Sequence, residues 1–429
     1  MSEIVTQMLL SLTLLYQKLA AVPPLQSRVP ASPPTIALYT SSHGFGHAVR
    51  CAILCRALLA ARPDLRIVAR TAAPAWIFPP GVEVEPCTID TGVVQPNSLD
   101  IDARATLQRY AELVADEDAR LATEADRLRA IGARAVVADV PSAAFEIAVR
   151  AGIPGIALAN FSWDWIYEPF AEGRPEYVSL VAHLASQYAR ASLLLRLPFH
   201  DGLTAFPVVE DVPLIARRST AERAETRRRL GLPLDAPIVL FSFGGHAGDG
   251  PDDARLAHFD GYAFVATAAT PQSRTPSPTL HLAGGGQGGG SAVRRGRNLF
   301  LLPQLADGYV DLLAACDVVI TKPGYGIVAD LIANRVPALY VSRGGFREEP
   351  VLVAALEAEA RAVRLERSAL DALDLGPALE RLHALDRPWT TRPLDGAEVC
   401  ARRILALAGY ESTVQGSGPP GVSGRYATS

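Results

Sequence analysis

A chain of 429 residues, 49% hydrophobic and 20% charged, is long enough to bury two or three cores. A formal net charge of −4 gives no global electrostatic case for a nucleic-acid or anionic-membrane partner. Five cysteines, odd in number and without Cys-x-x-Cys spacing, argue against a disulfide framework or zinc site and fit a reducing cytoplasm.

In chain order, Ile4 to Val22 is rich in Leu and Ala but is interrupted by Gln7, Gln17 and Lys18. It falls short of the ~20 apolar residues of a spanning helix and lacks a signal-peptide charge pattern. No integral membrane span is expected, and peripheral membrane contact stays open. With the Pro-rich stretch that follows, residues 1–33 read as a helix and linker. Thr35 to Thr40 is a strand entering the loop Ser41-Ser42-His43-Gly44-Phe45-Gly46-His47, and Ala48 to Ala61 carries apolar residues at helical spacing. Leu65 to Arg70 and Val82 to Pro86 are further strands. Asp102 to Arg129 is a charge-rich helix or helix pair. Ala135 to Ala138 is a strand ending at Asp139, followed by a helix from Ser142 to Ala151. Pro154 to Ala159 is a strand leading into Asn160-Phe161-Ser162-Trp163-Asp164-Trp165. Such alternation implies a parallel sheet covered on both faces.

The pattern then restarts. Pro198 to Arg217 holds three prolines and few helix formers and reads as an interdomain stretch, and Thr220 to Leu230 as a basic helix. Pro237 to Phe243 is a buried strand ending in Gly244-Gly245-His246, and Tyr262 to Ala266 is another. The run Ala283 to Ser291 is low-complexity glycine, and Leu299 to Pro303 is a strand. From Asp307 to Pro350 the order is helix, strand, glycine turn (Lys322-Pro323-Gly324-Tyr325-Gly326), helix to Asn334, strand, and a turn holding Arg347, Glu348 and Glu349. The tail after Tyr410 has a disordered composition. The expected organisation is residues 1–33 helix and linker, 34–200 an N-terminal Rossmann-like acceptor domain, and 201–392 a C-terminal Rossmann-like nucleotide-sugar domain. A helix at 393–410 packs back on the first domain, and 411–429 is tail. The expected fold class is α/β, two doubly wound parallel-sheet domains facing a cleft, with ligands beyond the carboxyl ends of the strands.

A glycine turn opening a helix presents free N–H groups and the positive end of the helix dipole, which suits a phosphate. Lys18 and Lys322 are the only lysines, so Lys322 within that turn stands out, although a solvated surface position is the alternative. Gly244 and Gly245 would let backbone approach the donor phosphates or the domain interface. On the other half, His47 lies on a loop at a strand's carboxyl end, where an imidazole facing the cleft suits proton transfer. Asp139 ends a neighbouring strand and would orient it; capping of the following helix is the alternative for His47. His43, Gly44 and Gly46 of the same loop are expected at the acceptor, with loop shaping or a phosphate contact as the alternatives for His43. Asn160, Trp163 and Asp164 combine aromatic faces with polar groups that suit sugar recognition, although buried aromatic anchoring would look the same. No Asp-x-Asp follows a strand, so no metal is expected, and Lys322 with helix N-termini would serve in place of a cation. Asp116-Glu117-Asp118 reads as a solvated helical run.

The set HGFGH, SFGG, KPGYGIVAD and FREEP, in that order, resembles the glycosyltransferase superfamily with two Rossmann-like domains. More closely, HGFGHA, NFSWDWIY and KPGYG…FREEP are similar to the glycosyltransferase-like N-terminal region of plant-type arabinokinases and its free-standing bacterial relatives. The resemblance covers roughly Pro34 to Leu407, and the sequence has no galactokinase-type Gly/Ser-rich signature. It implies a catalytic histidine at His47 and donor contacts from Lys322, Gly324, Tyr325, Gly326, Asp330, Glu348 and Glu349. Tyr325 also reads as packing. The chain departs from the pattern where Asp330 stands for a ribose-binding Glu, one methylene shorter, and where Glu348-Glu349 stands for an Asp/Glu-Gln pair. The expected function is inverting, metal-independent transfer of a hexosyl-type sugar from a nucleoside diphosphate sugar, UDP-linked for preference, to an unidentified small acceptor. No other cofactor is expected. The alternatives are a nucleotide-sugar epimerase or hydrolase on the same scaffold, and a sugar-nucleotide sensor without turnover.

Overall fold

The structure, a computed structural model, describes residues 33–97, 99–243, 251–267, 291–303 and 308–410. The expected N-terminal helix, Gly244, Gly245 and His246, nearly all of the glycine-rich run and the tail lie outside the described residues. Strands β1 (Thr35–Thr40), β2 (Arg66–Arg70), β3 (Val82–Glu85), β4 (Ala133–Asp139), β5 (Gly155–Ala159), β6 (Leu193–Arg196) and β7 (Val209–Asp211) form one sheet. Their order is β3-β2-β1-β4-β5-β6-β7, parallel throughout. The second sheet comprises β8 (Ile238–Ser242), β9 (Ala263–Thr267), β10 (Val293–Arg295), β11 (Leu299–Leu302), β12 (Val318–Thr321), β13 (Ala338–Tyr340) and β14 (Ala362–Arg364). Its order is β10-β11-β9-β8-β12-β13-β14, parallel except for the β10–β11 edge pair. Each sheet starts at a central strand, β1 or β8, steps outward through β2 and β3 or through β9 and the β10–β11 pair, and crosses back through β4 or β12, so each has a topological switch point. All six residues of β1 are buried, as expected of a strand covered on both faces.

In the first domain the helices are α1 (Gly46–Ala61), α2 (Ala103–Val114), α3 (Glu117–Ala130), α4 (Ala143–Ala151), α5 (Trp163–Ala171) and α6 (Val178–Tyr188). The second carries α7 (Arg223–Arg229), α8 (Asp253–Leu256), α9 (Tyr309–Ala315), α10 (Tyr325–Asn334), α11 (Glu349–Glu359), α12 (Arg367–Ala372) and α13 (Gly376–His383). The charge-rich stretch is a helix pair, α2 and α3, with the side chain of Asp102 capping α2 by accepting from the Ala105 N–H at 2.8 Å. Among the described residues no helix is long and apolar enough to cross a membrane. All five cysteines are free thiols, and four of them are buried.

The expected boundary at residue 200 falls too early. Three extended residues survive inside the proline-rich stretch and pair along β6 as β7, because an edge strand tolerates nearby prolines. A last helix, α14 (Gly396–Leu407), returns to the first domain, where Cys400, Ile404 and Leu405 share a core cluster with Cys51, Cys55 and Leu58 of α1. Beyond it, the Tyr410 hydroxyl accepts from the Thr35 N–H at 2.9 Å, tying the end of α14 to the start of β1. The outgoing and returning crossings pair with each other: Ile215 bridges Asp395, Leu214 N–H donates to Pro393 O, and Gly396 N–H donates to Leu214 O, both at 3.3 Å. The fit is so close that a Cβ at Gly396 would lie 2.1 Å from the Pro213 carbonyl oxygen.

Candidate active site

A cleft of about 590 Å³ lies between the two sheets at the carboxyl ends of their strands. Its first wall is the loop after β1 and the outer face of α1: His43, Gly44, Phe45, Gly46, His47, Val49, Arg50 and Ile53, with Asn160 from the end of β5. Its second wall is the turn after β12 and the start of α10, from Lys322 to Ile327, with Ser242, Tyr309, Arg343 and Glu348. The helix starts approach closely, since a Cβ built on Gly326 would sit 3.9 Å from the Gly46 Cα. No side chain caps α10 at Gly324, and its first turn holds no acidic residue, so its leading N–H groups and dipole face the cleft uncompensated.

His47, on the first turn of α1, places Nδ1 2.9 Å from Asp139 Oδ1. Asp139 is fully buried and also receives Arg50 Nε at 2.7 Å and Arg50 Nη2 at 2.5 Å, with Cys51 Sγ at 3.6 Å. Burial alone would raise this carboxyl, but the charges and hydrogen bonds of Arg50 and His47 outweigh it and hold the pKa at about 2. An ionised Asp139 keeps the His47 proton on Nδ1 and leaves Nε2 as the acceptor. Arg50 is itself buried; its Nη1 donates to Asn160 Oδ1 at 2.9 Å and its guanidinium lies 4.7 Å over the Tyr325 ring of the facing domain. His43 turns inward: its Nδ1 accepts from Val93 N–H at 3.3 Å, and its ring stacks on Phe346 at 6.4 Å. Gly92 makes room for it, because a Cβ there would lie 2.4 Å from the His43 Cβ.

On the facing wall, burial and then the neighbouring charge of Arg343 lower the Lys322 pKa to about 8. Arg343 is 8% exposed and its own pKa is lowered by burial, against the pull of Glu348 and Glu349. Its Nη2 lies 3.9 Å from Glu348 and its Nε 3.7 Å from Glu349, and its guanidinium lies 4.2 Å over Phe346. Lys322 and Arg343 beside a helix start without an acidic first-turn residue give this part of the wall a positive character, offset in part by Glu348 and Glu349.

Several residues singled out from the sequence lie elsewhere. Asp330 is 2% exposed and off the cleft lining; it accepts from the backbone N–H of Arg217 and from its Nε, both at 2.9 Å, and from its Nη2. A side chain one methylene short is thus drawn into an ion pair with the interdomain crossing. Glu349 begins α11 and accepts from Arg343 N–H at 2.6 Å and from Ser342 Oγ, behind the cleft surface. Trp163 is 0% exposed: it starts α5, donates Nε1 to Asp90 at 2.8 Å and stacks on Tyr167 at 5.5 Å, which is the anchoring alternative. Asp164 is buried beside it, which raises its pKa. The exposed aromatic at the cleft is Trp76, 47% accessible and edge-on to Phe45 at 5.6 Å. Sequence reasoning missed Trp76, Arg50 and Arg343. The four-residue spacing of Gly46 and Arg50 at the start of α1 was the one available signal, since it puts a cation on the same face as the helix start.

Two Rossmann-like domains with this crevice define the class: the chain has the GT-B-type fold of glycosyltransferases. It is similar to a UDP-glucosyltransferase from Polygonum tinctorium capable of glucosylating indoxyl, with a TM-score of 0.54 and 15% identity over 89% of this chain and 100% of the other. It is also similar to CalG4, the calicheamicin glycosyltransferase, with a TM-score of 0.52 and 17% identity over 88% and 95%. In sequence it is 32% identical over 380 residues to an L-arabinokinase of Arabidopsis thaliana, covering 87% of this chain and 34% of the relative. The chain thus spans about a third of that relative's length. The arabinokinase-like resemblance carried by HGFGH, KPGYG and FREEP holds. No protein-family model matches the chain.

Proposed function

We propose that the protein transfers a glycosyl group from a nucleoside diphosphate sugar, UDP-linked sugars being the first candidates, to the hydroxyl of a small acceptor, with inversion and without a metal ion. One observation carries the reading: a His47–Asp139 pair faces, across one cleft, an uncapped helix start flanked by Lys322. His47 Nε2 takes the acceptor proton while the acceptor oxygen forms a bond to the anomeric carbon from the face opposite the diphosphate. The bond from that carbon to the diphosphate oxygen breaks, and its electron pair leaves with the diphosphate. The N–H groups of Tyr325 and Gly326 and the Lys322 ammonium meet that charge, supplying the stabilisation a cation gives elsewhere. Glu348 suits donor hydroxyls, and Trp76 with Phe45 gives the acceptor an apolar face.

A second reading, binding without turnover, is favoured by Asp330, whose carboxylate is committed to Arg217 and not offered to a ribose. A melting-temperature screen against UDP, GDP, dTDP and ADP and their sugars tests the site, since a ligand of the native state raises the melting point by mass action. The expected result is a shift with one nucleotide that is lost in Lys322→Ala. Transfer or donor hydrolysis that disappears in His47→Ala, with the shift retained, selects transfer; a shift without turnover across many acceptors selects binding alone.

A further inference from the structure

The turn that the sequence gives to the donor is seated on the opposite domain. Phe346 is buried in the first domain's core cluster and stacks on His43. Arg347 Nη1 donates to Trp165 O and to Glu168, both at 2.6 Å. Glu348 Oε1 accepts from Asn160 Nδ2 at 2.7 Å. Gly345, at φ +78°, supplies the left-handed corner that lets three successive side chains reach across.

The last of these contacts does not stop at Asn160. The same amide accepts from Arg50 Nη1, Arg50 grips both oxygens of Asp139, and Asp139 holds His47. Glu348, Asn160, Arg50 and Asp139 are each at most 5% exposed, so each depends on its neighbours in the chain for most of its hydrogen bonding. A second path reaches the same guanidinium, since Arg50 lies over Tyr325, the first residue of α10. Glu348 is the link with spare capacity: Oε1 serves Asn160, while Oε2 has Arg343 at 3.9 Å, beyond hydrogen-bond reach.

Resting on the donor reading above, we propose that Glu348 is shared between Asn160 and a hydroxyl of the donor sugar, and that Asn160 and Arg50 are positioning residues carrying donor arrival to His47. A sugar hydroxyl donating to the spare Oε2 draws the carboxylate towards the donor and pulls Oε1 off the Asn160 amide. A buried amide that loses its acceptor must shift to find another, and its carbonyl moves Arg50 with it. Because Arg50 is bidentate on Asp139, that shift reorients the carboxylate that sets the His47 ring. The base is thereby set only when a donor is present, which discourages proton abstraction in an empty site.

The test follows the ring resonances of His47 in the full-length protein labelled with ¹⁵N-histidine, with His47→Gln giving the assignment. Glu348→Ala removes the acceptor of Asn160 and is expected to move the His47 signals although it touches neither ring nor Asp139. Glu348→Gln keeps an acceptor oxygen without the charge and is expected to restore most of the native shift. Arg367→Ala breaks an exposed interdomain ion pair with Asp100, 2.8 Å long and off the chain, and is expected to leave His47 in place. A nucleotide sugar that raises the melting temperature is expected to move His47 in the same direction as Glu348→Ala. His47 signals unmoved in a folded Glu348→Ala protein, or moved equally by Glu348→Gln, overturn the relay. If Glu348→Ala does not fold, Asn160→Ala takes its place as the broken link. A donor that binds without moving His47 overturns the relay and leaves the donor reading standing, whereas no binding by any of the sugars overturns both.

Discussion

The two halves of the molecule solve the same topology with opposite charges. In each sheet the chain crosses back through the strand beside the central one, β4 in the first and β12 in the second. The first crossing ends in Asp139, a buried anion that gathers His47, Arg50 and Cys51 around it. The second runs into Lys322, a cation kept near another cation and near a helix start that nothing caps. The fold supplies a crevice at two switch points, and the residue at the strand end differs in charge between its walls. Under the proposed transfer, the first wall would move the proton and the second would hold the leaving group.

The largest test of this division is His47→Ala, which should lower turnover by about 10²–10⁴-fold while nucleotide-sugar affinity holds, measured by initial rates and calorimetry. The division breaks if affinity falls with the rate. Next come two buried carboxylates that each hold an arginine near the domain boundary. Asp139→Ala and Asp330→Ala each leave a guanidinium without its counter-charge and should cost about 3–5 kcal/mol in denaturant unfolding. Only the first should cost turnover in excess of stability. A collapse of donor affinity in a stable Asp330→Ala protein would return the ribose role to that residue.

Lys322→Ala should weaken nucleotide-sugar binding by roughly 10–100-fold, the worth of about 1.5–3 kcal/mol in a charged hydrogen bond, with the acceptor KM unchanged. The pH dependence has two signs. With its folded pKa depressed to about 8, Lys322 is charged below that value, so anion affinity should fall as pH climbs through 8. The stability of the unliganded protein should instead rise from about pH 8 towards the unfolded lysine pKa of about 10.4, because there the unfolded chain binds the extra proton. Asp139, also depressed, gives the same slope in an acid window. Held at about 2, it adds stability above the unfolded carboxylate value of about 3.9, and that stability drains away as pH falls through this window; Asp139→Asn should flatten the acid limb. The smallest effect expected is Trp76→Ala, about 0.5–1.5 kcal/mol, read as a several-fold rise in acceptor KM.

The strand–helix alternation was legible because parallel strands buried on both faces print as continuous apolar runs, and β1, β4, β8 and β12 all do. The His47–Asp139 pairing was legible for a related reason: both residues sit at carboxyl ends of such runs. What the sequence hid were partnerships set by the return of distant segments. Nothing local marks Asp330 as the partner of Arg217, which is 113 positions away. Trp163 and Trp76 look alike in sequence, but α5 turns one into the core and a short turn before β3 leaves the other at the cleft mouth. The Pro-rich stretch concealed β7 because prolines near an edge strand read as loop.

The paired crossings make one seam out of two passages of chain: Leu214 and Ile215 on the way out lie against Pro393, Asp395 and Gly396 on the way back. The entrance and the exit of the second domain are thereby held side by side, so its two ends cannot separate without first breaking the hydrogen bonds of that seam.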